Sequence, residues 1–236
     1  MKKRIAFLFG FLLLLNLTAR GGRQQTQPAQ GIMERPRQTE ATEAAAQTDS
    51  GREEGTEPNI LIAYFTVPET DGVDAVASAS RVVTEDGVVG NTEFIAREIQ
   101  KNLGGDLFAI QTVQTYPGTH SDLLNFAYQE KGNKARPELA SHIENLDAYD
   151  YIFVGYPNWN ADLPMPLYTF FEAYDFSGKT IIPFVTHGGS GFSGTVRTIR
   201  SLAPNANVIE SGLSVSRNSV PNAQADVKAW TDSLVY

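Results

Sequence analysis

Residues 181–191 read Ile-Ile-Pro-Phe-Val-Thr-His-Gly-Gly-Ser-Gly, an apolar run that passes directly into a glycine-rich polar loop. A continuous apolar run is typical of a strand buried on both faces of a parallel sheet. Two other loops, Gly90-Asn91-Thr92 and Tyr156-Pro157-Asn158-Trp159, also follow apolar runs. Because parallel strands place their carboxyl ends on one edge of a sheet, we expect the three loops to meet there.

The surrounding sequence predicts one α/β domain. From Asn59 onward, short apolar runs alternate with longer amphipathic segments, the pattern of βαβ units. The predicted strands cover residues 60–65, 107–110, 151–154, 180–185 and 207–210. The predicted helices cover residues 92–103, 121–131, 165–174, 195–202 and 223–234. This order predicts a doubly wound, five-stranded parallel sheet with helices on both faces.

The connection after the first strand is unusually long. Residues 67–89, 23 in all, separate Thr66 from the next loop, whereas such connections usually have ~2 to 6 residues. Arg81-Val82-Val83 and Val88-Val89 flank a glycine-containing turn at 85–87, which predicts a β-hairpin. We expect this insertion to form a small lid beside a bound ligand. A surface elaboration without function is the alternative.

The N-terminal segment predicts export. Lys2-Lys3-Arg4 precede an apolar run from Ile5 to Leu17 and then small residues, the pattern of a secretory signal peptide over residues 1–19. We therefore expect a protein of the cell envelope or extracellular space, with membrane contact only through this segment if it stays uncleaved. The pattern around Gly21-Gly22 is similar to a bacterial lipoprotein signal, but Arg20 stands where the lipidated cysteine would be.

Composition narrows the function classes. A formal charge of −8 and an isoelectric point near 4.9 argue against nucleic acid as a partner. The chain has no cysteine, which excludes disulfides and thiolate catalysis, and its 3 histidines show no metal-ligand spacing. Residues 20–58 are rich in Gln, Thr, Glu, Ala, Gly and Pro, and predict a disordered tether. The folded domain is thus expected over residues 59–236.

The first loop has the residue types that hold a phosphate group. Asn91 and Thr92 open a predicted helix directly after Gly90, and a helix start offers unpaired amides and the positive end of the dipole. Thr66 adds a hydroxyl from the end of the first strand. Gly-Asn-Thr is equally an ordinary helix cap.

The second loop has the residue types that hold a flat ring. Trp159 lies in a polar segment beside Asn158, and Pro157 stiffens the backbone. An indole face can stack on a planar π system. The alternative is an aromatic side chain that folds back on the domain or meets a partner.

The glycines of the third loop permit close approach of a ligand to the backbone. Gly189, Gly191 and Gly194 also satisfy G-x-G-x-x-G, with Glu210 ending the next predicted strand, as in dinucleotide-binding sites. Thr186-His187-Gly188 intervene between strand and motif, which disfavours that interpretation. His187 either hydrogen-bonds the ring or caps its own loop.

Together these motifs resemble the flavodoxin-like family across residues 59–236, most specifically at 156–166 and 181–191. The resemblance implies FMN as the cofactor and the strand order 2-1-3-4-5. This chain departs from the usual family pattern in two places. It has the insertion at 67–89, and it has Asn160 where the family often has a second tryptophan. The implied cofactor-binding residues are Thr66, Gly90, Asn91, Thr92, Pro157, Asn158, Trp159, Thr186, His187, Gly188, Gly189 and Gly191.

The resemblance predicts a flavodoxin-like electron-transfer protein that acts outside the cytoplasm, with a redox partner protein or a small electron acceptor. The alternatives are an FMN-dependent NAD(P)H reductase of quinones or other small acceptors, and a non-redox binding module with the same fold. Carboxylates near a flavin lower its potential. Asp162, Glu69 and Asp71 are candidates, and we expect a low potential.

Overall fold

The computed structural model describes residues 58–70, 80–85 and 87–235. The predicted signal peptide at 1–19, the predicted tether up to residue 57, and Asp71 lie outside the described residues and stay predictions. Within the described ranges, every helix is too short or too polar to span a lipid bilayer.

The sheet is built around β1 (Ile60–Tyr64), in which all five residues are buried. The remaining strands of this sheet, all parallel to their neighbours, are β4 (Asp106–Ala109), β5 (Tyr151–Pro157), β6 (Thr180–His187), β7 (Asn207–Val208) and β8 (Leu213–Ser216). Their order is β4-β1-β5-β6-β7, and β8 also pairs with β6. In the numbering of the predicted strands this is 2-1-3-4-5, so the expected α/β topology is confirmed.

Helices cover both faces of the sheet, with ends within two residues of the predicted ones: α1 (Asn91–Leu103), α2 (His120–Asn133), α3 (Met165–Ala173), α4 (Thr195–Leu202) and α5 (Gln224–Asp232). Leu61 and Ala63 of β1 share one core with apolar residues of α2, α3 and α4. Ile60 and Ile62 share the other with α1 and α5. Successive side chains of a strand point to opposite faces, so β1 supplies both cores.

The predicted strand at 207–210 is wrong in its limits, because two short strands, β7 and β8, take its place beside β6. The backbone of Ile181 accepts a hydrogen bond from Ile209 on this side of β6 (2.9 Å). Pro183 is two residues farther along and faces the same side, but it has no N–H to donate. The ladder is therefore interrupted there and resumes at Phe184 opposite Leu213.

The predicted hairpin in the insertion is confirmed as an antiparallel pair, β2 (Arg81–Thr84) and β3 (Gly87–Gly90). Its buried valines, Val82 and Val89, belong to the core that α1 and α5 share. The hairpin thus extends this core. Among the described residues of the insertion, Val67 and Ser80 line the cleft described below, and the expected lid stays a prediction.

Candidate functional site

The carboxyl ends of β1, β5 and β6 open onto one cleft with about 810 Å³ of empty space, part of it open to solvent. Residues of all three predicted loops line it. Nine of the twelve predicted site residues are in its wall: Thr66, Asn91, Thr92, Pro157, Asn158, Trp159, Thr186, His187 and Gly188. The other three, Gly90, Gly189 and Gly191, are not in the lining.

Hydrogen bonds join the three loops to one another. The hydroxyls of Thr92 and Thr186 are 2.8 Å apart, and both residues are buried. The backbone N–H of Asn158 donates to the Thr186 carbonyl (2.8 Å), and its Nδ2 donates to the Gly191 carbonyl (2.6 Å). The predicted meeting of the loops at one edge of the sheet is therefore observed.

The long insertion does not separate Thr66 from the start of α1. A methyl group on Gly90 would lie 2.0 Å from Oγ1 of Thr66, so only glycine fits there. The N–H of Asn91 donates to the Ser80 carbonyl (3.0 Å). The first amide of α1 is therefore already bonded. The hydroxyls of Thr66 and Ser80, two residues that line the cleft, are further donors for a ligand.

His187 caps its own loop. Its Nδ1 accepts a hydrogen bond from the N–H of Gly189 (2.9 Å), and Gly189 has a φ of 136°. Partial burial lowers the pKa of His187 below its ordinary value. Both observations favour a neutral imidazole with the proton on Nε2, so His187 offers one hydrogen-bond donor to a ligand.

The dinucleotide interpretation of the same loop is not supported. Glu210, the residue that would have bound a ribose, forms an ion pair with Arg200 of α4 (2.8 Å). Gly194 serves as the residue before α4. The glycines therefore shape a loop between β6 and α4.

Trp159 lines the cleft and is also a core residue. It is only 7% exposed, and its ring meets Phe65 edge-on at a centroid distance of 5.4 Å. Tyr116 packs against it at 5.6 Å. The sequence left two interpretations of Trp159 open: a wall for the cofactor, or a side chain folded back on the domain. The two are compatible, because Trp159 both lines the cleft and packs in the core.

Four polar or charged residues of the cleft were missed in the sequence: Ser80, His120, Ser190 and Arg217. Arg217 follows β8, and its guanidinium lies 3.8 Å from where a methyl group on Gly188 would be. The alternation of buried and outward residues in Leu213–Ser216 is the signal that would have revealed β8 and the position after it. His120 begins α2 and has no comparable signal.

Two of the acidic residues proposed to lower a flavin potential, Asp162 and Glu69, are described by the structure and do not line the cleft. Asp162 forms an ion pair with Lys131 (3.2 Å) and lines a separate pocket. Glu69 is buried behind His120. Among the described residues that line the cleft there is no carboxylate, whereas Arg217 brings a positive charge.

Comparison with known proteins gives one family. A family model described as Flavodoxin matches residues 80–234. No curated protein matches the chain.

Several solved structures are similar to this chain. A candidate flavoprotein from Bacteroides eggerthii is 29% identical, with a TM-score of 0.56, over 74% of this chain and 96% of that one. A candidate flavoprotein from Bacteroides uniformis is 25% identical, with a TM-score of 0.57, over 75% and 99%. A Lactobacillus acidophilus flavoprotein, solved in complex with FMN, is 19% identical, with a TM-score of 0.48, over 71% and 99%.

Proposed function

Because this chain belongs to the flavodoxin family, we propose that its folded domain binds FMN and transfers electrons to a partner outside the cytoplasm. The observation that carries the proposal is the hydrogen-bonded meeting of all three loops around one cleft. The partner is a redox protein or a small electron acceptor.

The residues in the cleft fit FMN. Thr66 and Ser80 present hydroxyls beside the start of α1, where a phosphate is favoured. Trp159 contributes apolar wall for the ring. Oδ1 of Asn158 is buried and has no hydrogen-bond partner among the described residues, so it can accept a bond from an N–H of a ligand. Bound FMN supplies one-electron and two-electron redox chemistry.

The chain itself needs only to hold the ring and leave part of it accessible. The cleft is open to solvent on one side, which suits contact with a partner. His187 is oriented by its bond to Gly189 and offers a donor without changing charge near neutral pH. These features support electron transfer without a dedicated acid or base.

The visible spectrum of the purified protein tests the cofactor directly. We expect flavin absorption bands, or their appearance and a tight complex after FMN is added. A protein that stays colourless would favour the non-redox binding module. Stopped-flow mixing of the loaded protein with NAD(P)H then separates the redox functions: an electron carrier leaves the flavin oxidised, and rapid bleaching would favour the reductase.

Action outside the cytoplasm rests on the sequence of residues 1–19, with its basic start and apolar run. Mass spectrometry of the protein from its own host tests it. We expect a mature chain that begins near Arg20, recovered from the cell envelope or the medium. An intact N-terminus in the cytoplasmic fraction would contradict export while leaving FMN binding untouched.

Thr92 is expected to contribute to the phosphate end of the site. Thr92→Val removes one of two hydroxyls that bond each other at 2.8 Å, and leaves the Thr186 hydroxyl buried. We expect the unfolding free energy to fall by about 1–3 kcal/mol and the affinity for FMN to fall more than that for riboflavin. Thr186→Val breaks the same bond from the other side, and it should weaken both flavins alike. Equal losses in Thr92→Val would remove Thr92 from the phosphate contact.

Arg217 is expected to raise the potential of the bound flavin, contrary to the low potential predicted from the sequence. Reduction adds negative charge, and a cation in the cleft stabilises it. Arg217→Met should lower the midpoint potential by on the order of 50 mV, since ~59 mV corresponds to ~1.4 kcal/mol for one electron. Arg197→Met is the control, because Arg197 is exposed on α4 and does not line the cleft. Equal shifts in a spectroelectrochemical titration of both variants would exclude a specific role.

A further inference from the structure

A close contact between a buried glutamate and a partly exposed histidine lies at one wall of the cleft, outside the three loops. Oε1 of Glu69 is 2.8 Å from Nδ1 of His120, and the Glu69 side chain is fully buried. The His120 side chain is 30% exposed and lines the cleft. A buried carboxylate therefore holds an imidazole whose other face is open to a ligand.

The backbone around Glu69 is fixed on both sides. Its N–H donates to Oγ of Ser80 (3.0 Å), and its carbonyl accepts from the guanidinium of Arg81 (2.9 Å). The next residue, Thr70, donates to the carbonyl of Gly118, two residues before His120. These bonds set the position of the carboxylate before any ligand binds.

The same contacts lead to the start of α1. Ser80 binds Glu69 through its hydroxyl and Asn91 through its carbonyl. Ser80, Asn91 and His120 all line the cleft. The Glu69–His120 contact is thus connected, through Ser80, to the helix end at which the phosphate of FMN is proposed to bind.

An imidazole whose Nδ1 lies 2.8 Å from a carboxyl oxygen still has its Nε2 available for a second group. When both nitrogens carry protons, the ring is positively charged and can donate from Nε2 to an acceptor in the cleft. Such charge-assisted bonds are stronger than those between neutral groups. A phosphate supplies both the acceptor atoms and the negative charge.

We propose that His120, held by Glu69, is an additional phosphate-binding residue of this chain, contributed by α2 and the insertion. The inference rests on the proposed binding of FMN and names residues that belong to none of the three loops. It gives the start of the insertion a role: residues 67–70 bring a carboxylate behind His120, which orients the imidazole toward a phosphorylated ligand.

Paired titrations with FMN and riboflavin test the proposal, since the two ligands differ only by the phosphate. His120→Gln should bind FMN about 10-fold to 100-fold more weakly and riboflavin nearly as well as the unsubstituted protein. His142→Gln is the matched control, because His142 is exposed and does not line the cleft. It should leave both affinities unchanged. Equal losses for the two flavins in His120→Gln, or no loss, would overturn the proposal.

A measurement on the unsubstituted protein avoids any loss of folding in the variant. Nitrogen-15 NMR of the His120 imidazole should show both nitrogens protonated with FMN bound, and a change when riboflavin replaces it. A neutral ring in the FMN complex would also overturn the proposal. Failure to bind either flavin would instead contradict the proposed function, so the two failures are distinguishable.

Discussion

Replacing Trp159 with alanine is expected to lower the unfolding free energy of the cofactor-free protein by about 3–5 kcal/mol. The indole is 7% exposed and packs between Phe65 and Tyr116, with ring centroids 5.4 and 5.6 Å away. Its removal leaves a cavity that these rings fill only in part, and it removes the wall of the cleft. Chemical denaturation followed by circular dichroism measures the first effect, and an FMN titration measures the second.

Trp230→Ala is the matched control for this prediction. Trp230 on α5 is partly exposed, packs edge-on against Phe153 at 5.8 Å, and belongs to the opposite face of the sheet. We expect a smaller loss of stability and no change in FMN affinity. Unchanged stability of the cofactor-free Trp159→Ala protein would show that the indole is only a cofactor contact and would contradict its place in the core.

Gly90→Ala is expected to weaken FMN binding by about 10-fold to 100-fold, which corresponds to the ~1–3 kcal/mol cost of overpacking. The backbone at Gly90, with φ −70° and ψ 150°, accepts alanine without strain. The added methyl group, however, would lie 2.0 Å from Oγ1 and 2.8 Å from Cγ2 of Thr66. Either Thr66 or the start of α1 must move, and both belong to the proposed phosphate end. Fluorescence titration with FMN measures the effect.

Two further variants decide whether this effect is steric. Gly132→Ala adds the same methyl group to α2 where no atom lies within 4 Å, and it should leave FMN affinity unchanged. Thr66→Ala combined with Gly90→Ala removes the two nearest clashing atoms. The loss of FMN binding free energy in the double variant should be smaller than the sum of the losses in the two single variants. Full affinity in Gly90→Ala would rule out the close contact.

Much of the fold follows from local patterns in the chain. The apolar run at 60–65 predicts a strand buried on both faces, and the structure has β1 there with every residue buried. The helix predicted at 195–202 has those limits as α4. The strand order came from the resemblance to flavodoxin-like proteins and is confirmed. Periodicity reports which face of an element is buried, and this is why element positions were predicted well.

The end of the sheet shows the limit of such patterns. Pro183 is visible in the sequence, but its effect depends on which neighbour its missing N–H faces. Only the pairing of β6 with β7 and β8 determines that. The strand predicted at 207–210 was therefore correct in its place but wrong in its limits. The separate strand β8 was missed, and with it Arg217, which follows β8.

The sequence by itself determined that three loops lie at the carboxyl ends of parallel strands and carry residues suited to a phosphate and a ring. Only the tertiary structure decided which side chains touch. Thr92 and Thr186 are 94 residues apart in the chain and share a hydrogen bond. Glu69, in the insertion after β1, contacts His120 at the start of α2. Periodicity records whether a residue is buried, but contacts between distant segments depend on how whole elements pack against one another.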